Sequence, residues 1–400
     1  MSGRLVALLW TMSRKTAAER EKEELTASIL AYFAFVPDPR VERTRHHSLT
    51  DILVMSLCAI VCGADSFCAI ERFGEAKEAW LRTFLDLPNG IPTHDTIGRV
   101  FAALDPSALG EAFRQWVAAV AQLTKGEVVA IDGKTLRRSF QEAGSGAFVH
   151  MVSAWATSNG VVLGQVKTEE KSNEITAIPR LLKLLNVKGC LVTIDAMGCQ
   201  KQISADVQSA GADYLLAVND NQPTLNAEVM AIFEHCRRDV TAFGLDFHET
   251  RNTGHGRTEL RRCWTTEMVE SLSHLREWSG LRSLAMIEAE RTVAGKTSTE
   301  CRYFISSRKS LSAESALQAA RKHWGIENEL HWVLDVVFRE DDCRVRAGNA
   351  AENFAVMRHL SLNLLKSVKN TKMSIKLRRM TAGWNQDFLL QVLTAFNDVG

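Results

Sequence analysis

Two carboxylates in this chain occupy matching contexts. In Glu127-Val-Val-Ala-Ile-Asp132-Gly-Lys-Thr and in Gly189-Cys-Leu-Val-Thr-Ile-Asp195-Ala-Met-Gly, an apolar run rich in β-branched residues ends in Ile-Asp. Such runs read as buried strands, and each leaves an acid where the strand stops. A third acid comes from a helical pattern at 312–334. Projected at about 100° per residue, Ala316, Ala319, Ala320, His323, Ile326, Leu330 and Leu334 share one arc with Glu327, while Gln318, Lys322 and Glu329 fall opposite. An apolar-side glutamate requires a cation, a partner or a water-filled site, because burying an unpaired carboxylate costs several kcal/mol. Three acids brought together are stable in the ionised form only around positive charge. Mg²⁺, a hard ion that keeps waters and accepts carboxylate and phosphate oxygen, fits that requirement. Two such ions about 4 Å apart suit in-line phosphoryl transfer. Two plainer readings stand beside this one: Asp132-Gly133 as a hairpin turn, and Glu327 in a salt bridge to an arginine.

The elements that must position these acids follow from periodicity. Up to about residue 125 the pattern is helical, with Ser48 or Thr50 and Thr93 or Asp95 as helix starts and Pro106 opening a later helix. Strands are expected at 127–132, 148–156, 160–166, 190–195 and 213–218, with a Ser158-Asn159-Gly160 turn between the second and third. A helix capped by Thr176 precedes the fourth strand, and another at 199–210 follows it. A helix near 223–236 and β-like runs at 258–264, 282–290 and 300–306 form an insertion before the helix that carries Glu327. An amphipathic helix at 350–365 precedes Lys366, Lys369, Lys372, Lys376, Arg378 and Arg379, a run that either binds phosphate or solvates a tail. The expected domains are a leader at 1–16, a helical N-terminal domain at 17–125, a mixed α/β catalytic domain at 126–218 and 308–366 with the 219–307 insertion, and a basic C-terminal segment at 367–400.

Composition narrows the class. Of 400 residues, 46% are hydrophobic and 24% charged, as in ordinary globular proteins, and a net charge of +1 confines any polyanion binding to local patches. The nine cysteines contain no Cys-x-x-Cys pair and sit mostly in apolar segments, so reduced thiols in a cytoplasmic protein are expected. No stretch reaches the roughly 18 apolar residues of a membrane span.

Longer motifs carry a resemblance. Asp38-Pro-Arg, Leu87-Pro-Asn-Gly-Ile-Pro-Thr-His-Asp-Thr, Ala130-Ile-Asp-Gly-Lys-Thr-Leu-Arg-Arg-Ser, Lys171-Ser-Asn-Glu-Ile, Thr193-Ile-Asp-Ala-Met-Gly-Cys-Gln, Gly254-His-Gly-Arg-Thr-Glu and His323-Trp-Gly-Ile-Glu-Asn-Glu-Leu-His-Trp run through nearly the whole chain. The chain resembles DDE-type insertion-sequence transposases of the H-repeat-associated, Rhs-linked group. The resemblance implies an RNase H-like catalytic domain with a β-rich insertion. It also implies Asp132, Asp195 and Glu327 as the catalytic, metal-binding triad for Mg²⁺, with Mn²⁺ as an alternative, and their spacings of 63 and 132 residues suit an insertion in the second interval. The implied function is cleavage of terminal inverted repeats and strand transfer on double-stranded DNA by a homodimer or higher oligomer. A cleavage-only nuclease and a catalytically inactive DNA-binding relic are the competing readings. Lys134, Arg137, Arg138, Lys171, His255, Arg257, His323 and Asn328 are the residues placed to contact DNA. The chain departs from the pattern in two places. A Tyr, Arg and Lys that often surround the last Glu are replaced by Ala320, His323 and Leu334, and Asn219-Asp220 stands where a Lys often follows the strand at 213–218.

Overall fold

The computed structural model describes residues 31–137 except 122 and 124, then 139, 148–168, and 174–394 except 239, 241, 242, 255 and 370. The expected leader, most of the first helix, Arg138, Lys171 and His255 lie outside these residues. Two compact units emerge, one from residues up to 122 with 135–149 and 332–400, the other from 123–134 and 150–331.

The first unit is largely helical. Helices α1 (Leu49–Val61), α2 (Phe67–Leu81), α3 (His94–Ala103) and α4 (Pro106–Val120) each begin at a side-chain cap. Ser48 accepts from the Asp51 amide, Ser66 from Ala69, Thr93 from Thr96 and Asp105 from Ser107, so each satisfies an amide that has no partner inside its helix. The helix at Ala350–Ser367 belongs with these four and is buried over nearly its whole length. The side chain of Asn353, fully buried, donates to the carbonyls of Phe101 (2.8 Å) and Leu104 (2.9 Å), and Phe354 packs in a trio with Phe67 and Phe101.

The expected basic tail is two further helices, Ile375–Trp384 and Gln386–Thr394, and its arginines are not phosphate contacts in waiting. Arg379 is buried, donates to the Ile60 carbonyl at 2.7 Å and to that of Val337, and covers the Phe338 ring. Arg378 donates to the carbonyls of Leu365, Val368, Thr371 and Met373, closing the end of the 350–367 helix. Lys369, Lys372 and Lys376 remain exposed.

The second unit is built on a nine-stranded sheet in the order β3-β2-β1-β4-β5-β9-β8-β7-β6. Its strands are β1 (Val128–Leu136), β2 (Val149–Ala156), β3 (Val161–Lys167), β4 (Leu191–Ile194), β5 (Asp213–Val218), β6 (Asp246–Gly254), β7 (Arg257–Thr266), β8 (Ser283–Val293) and β9 (Lys296–Ser306). The pair β1/β4 and the pair β4/β5 are parallel, while β2/β3 and the run β5, β9, β8, β7, β6 are antiparallel. The strands of the insertion therefore prolong the same sheet beyond β5. Strand β6 is absent from the sequence expectation because Asp-Phe-His-Glu-Thr-Arg-Asn-Thr-Gly has no apolar alternation; it is an exposed edge strand held by its ladder with β7.

Helix α5 (Glu174–Leu184) takes in Thr176, which therefore does not cap it. Helices α6 (Lys201–Ser209) and α7 (Pro223–Cys236) follow the expected ranges closely. The long helix expected at 312–334 is interrupted. Helix α8 (Ala313–His323) gives way to a π-helical turn at Ile326–His331, then a short helix at Trp332–Val336. Three alanines at 313, 316 and 319 let α8 approach the sheet closely, in one core with Val128, Leu191, Leu215 and Phe304.

Candidate metal centre

Strands β1 and β4 run parallel with Ala130 beside Thr193 and Ile131 beside Ile194, so the next residues of the two strands are Asp132 and Asp195. Neighbouring strands lie about 4.8 Å apart, which is why matched Ile-Asp endings become neighbouring carboxylates. Asp132 is not a turn residue and not a strand terminus: β1 runs on to Leu136. The hairpin reading of Asp132-Gly133 is thereby excluded. The Asp132 carboxylate accepts from the Gly133 amide at 2.9 Å, and Asp195, one residue past β4, accepts from the Gly198 amide at 3.2 Å.

Glu327 is exposed and not turned into the packed interior. The reason is local. The 100° projection holds only while the helix keeps 3.6 residues per turn, and the π-helical turn after Gly325 resets the phase so that Ile326, Leu330 and His331 are buried and Glu327 is not. Its exposure is to a cleft of about 990 Å³ lined also by Asp132, Asp195, His323, Trp324 and Asn328.

The acids and His331 form two trios that share Asp132. Ligand atoms of Asp132, Glu327 and His331 lie within 4.8 Å of one another, as do those of Asp132, Glu174 and Asp195. His331 Nδ1 is 3.5 Å from Asp132 Oδ2. Two residues of these trios, Glu174 and His331, were not named as site residues from the sequence. A signal for Glu174 exists: it falls on the apolar face of α5 with Ala177, Ile178, Leu181 and Leu182, as the projection applied to 312–334 would have shown. His331 stands four residues after Glu327, at the end of the same π-helical turn.

Electrostatics mark the centre as anionic and crowded. Burial pushes the Asp132 carboxyl up to about 7; the Gly133 amide opposes this, and the charges of Glu174, Asp195 and Glu327 add to it. Burial raises Asp195 as well, against the Gly198 amide and with the Glu174 charge. Such a group of oxygen donors, held in the charged form only at a cost, fits a hard divalent cation.

The residues expected to contact DNA are scattered. Lys134 is half-buried two positions past Asp132 on β1. Arg137 is exposed and lies 3.5 Å from Asp341. Arg257 sits at the tip of the β6–β7 hairpin, 3.1 Å from Glu259, and does not line the cleft. Asn328 lines it and donates to the Trp324 carbonyl at 3.1 Å. His323 also lines it, but burial pushes its imidazole down to about 4, and Nδ1 meets the Thr193 hydroxyl at 3.0 Å. It is a neutral hydrogen-bonding group and carries no cation to a phosphate. A feature unseen in the sequence is Arg302, stacked 4.1 Å over the half-exposed indole of Trp324 in the same cleft.

Comparison with known proteins settles the family. Residues 123–364 match the family described as Transposase DDE domain, and residues 30–117 match the family described as DDE_Tnp_1-associated. The chain belongs to the DDE transposase family. It is 42% identical over 380 residues to "Putative transposase YncI" of Escherichia coli O157:H7, spanning 93% of this chain and 96% of that one. It is 39% identical over 370 residues to "H repeat-associated putative transposase YhhI" of Escherichia coli strain K12, spanning 91% and 97%. The DDE match takes in β1, β4 and the π-helical turn, and with them every residue of the two trios.

Proposed function

We propose that this chain is an active transposase of its own insertion sequence, binding the terminal inverted repeats, cleaving strands there and joining the freed 3′ ends to target DNA. The observation that carries the reading is the convergence of Asp132, Asp195 and Glu327, from two strands and a π-helical turn, on one open cleft. A divalent cation bound there, Mg²⁺ or Mn²⁺, supplies Lewis acidity and lowers the pKa of a bound water or hydroxyl. Asp132, shared by both trios, would hold the cation in common with Asp195 from one trio and Glu327 from the other. Arg302 and Lys134 offer positive charge to the DNA backbone, and Trp324 offers an apolar face to a base or sugar. His323 and Asn328 contribute hydrogen bonds at the cleft wall. The strand order β3-β2-β1-β4-β5, with β1, β4 and β5 parallel, supports an RNase H-like catalytic core to which β6–β9 are added. Among the described residues no helix is long and apolar enough to cross a membrane; the proposed work is on cytoplasmic DNA, by an oligomer that brings two element ends together.

The test is to replace Asp132 and Asp195 singly by Asn, and Glu327 by Gln, and to follow Mg²⁺-dependent nicking of DNA carrying the element end. The expected outcome is a loss of at least about 10³-fold in cleavage with binding retained in a gel-shift assay. Cleavage at the wild-type rate in any of the three would remove that residue from the triad.

A further inference from the structure

We propose that Glu174 is a fourth acidic ligand of the metal centre, with His150 as the residue that positions it, so that the all-oxygen half of the site is Asp132, Glu174 and Asp195. The inference deepens the triad reading and rests on it. Glu174 lies on the face of α5 that packs inward, and it is one of the few glutamates buried among the described residues. Among the described residues its carboxylate meets no arginine or lysine; it meets His150 Nε2 at 2.9 Å, from the second residue of β2. Beyond that contact it stands within ligand range of two further carboxylates, an arrangement that repels itself unless a cation joins it.

The backbone of β1 is shaped to admit this side chain. A Cβ at Gly133 would lie 2.0 Å from Glu174 Oε1 and 2.5 Å from His150 Nε2, so both groups occupy the space that any other residue after Asp132 would fill. A glutamate that served only to pair with His150 would not need to press against the strand at the residue next to Asp132. The two halves of the centre are then chemically unlike. One offers three carboxylates, the other Asp132 and Glu327 with an imidazole from His331. Metal-bound groups are commonly oriented by a hydrogen-bonded partner behind them, and His150 holds that position for Glu174.

The measurement is Mn²⁺ binding to the full chain without DNA, by calorimetry and by the electron paramagnetic resonance signal of free Mn²⁺. Wild type, Glu174→Gln, His150→Ala, His150→Gln and Asp132→Asn would be compared, with circular dichroism as the fold control. Glu174→Gln keeps size and a hydrogen bond to His150, and is expected to weaken Mn²⁺ binding by at least about tenfold. His150→Ala should weaken it less, and His150→Gln should restore most of it. Asp132→Asn should abolish binding. Wild-type affinity in Glu174→Gln, with binding lost in Asp132→Asn, would overturn the role of Glu174 and leave the triad standing. Equal binding by wild type and Asp132→Asn would instead overturn the triad reading itself. If Glu174→Gln does not fold, Glu174→Asp retains the charge one methylene short; a loss of about tenfold supports the assignment, and affinity equal to wild type overturns it.

Discussion

Burial raises the Asp132 carboxyl more than its charged neighbours do, and this makes the centre sensitive to pH. A carboxyl that titrates near 7 when folded and near 3.8 when unfolded holds its proton longer in the native state. The metal-free protein is therefore most stable on the acid side of this window and loses stability as pH rises from about 4 to about 7, by roughly 4 kcal/mol from Asp132 alone. Above about 7 this contribution is fully lost. A divalent cation stabilises the ionised form, so the rise in melting temperature on adding Mn²⁺ is expected to be larger near pH 8 than near pH 5. Equal rises at the two ends would remove Asp132 from the metal centre. Gly133 gives a second check on the same carboxylates. Gly133→Ala leaves every acid in place but drives a methyl into Glu174 and His150, and should destabilise by about 1–3 kcal/mol through overpacking while weakening Mn²⁺ binding. Unchanged melting and unchanged binding would mean that the pocket has room it does not show.

Most elements were legible because they obey one period along their length. Strand β5 and helix α7 were read to the residue, and the caps at Ser48 and Thr93 were among the candidates named. Failures came where the period breaks or is silent. The π-helical turn at 326–331 changes the phase in mid-helix, which turned an apparently inward Glu327 into a cleft residue. Strand β6 is polar apart from Phe247, and its ladder with β7 holds it where its own pattern could not. The C-terminal arginines show the same limit, since charge alone does not distinguish a phosphate contact from a carbonyl clamp. Arg379→Met should destabilise the helical unit by about 2–3 kcal/mol, because it strips charged hydrogen bonds from the buried Ile60 carbonyl and the part-buried Val337 carbonyl. Chemical denaturation would measure this. A variant as stable as wild type would show that Arg379 is dispensable to the fold.

For the molecule as a whole, a net charge of +1 means that any affinity for DNA must come from local groups. Lys369, Lys372 and Lys376 are exposed near the buried Arg379, and changing all three to Ala should lower the slope of log affinity against log salt by up to about 3 if each contacts a phosphate. A slope equal to that of wild type would assign the three to solvent. The family was readable from motifs because each is a compact local signature, those around Asp132, Asp195 and Glu327 among them. Composition, helix and strand periods and the matched Ile-Asp endings were likewise carried by the chain, each being a property of a few consecutive residues. The fold added what consecutive residues cannot encode. The parallel register that sets Asp132 beside Asp195, the approach of Glu174 over Gly133, the reach of His331 to Asp132 and the neutral state of His323 all depend on contacts between distant segments. Only packing fixes such contacts, because burial and close approach are shared by elements that no stretch of sequence contains together.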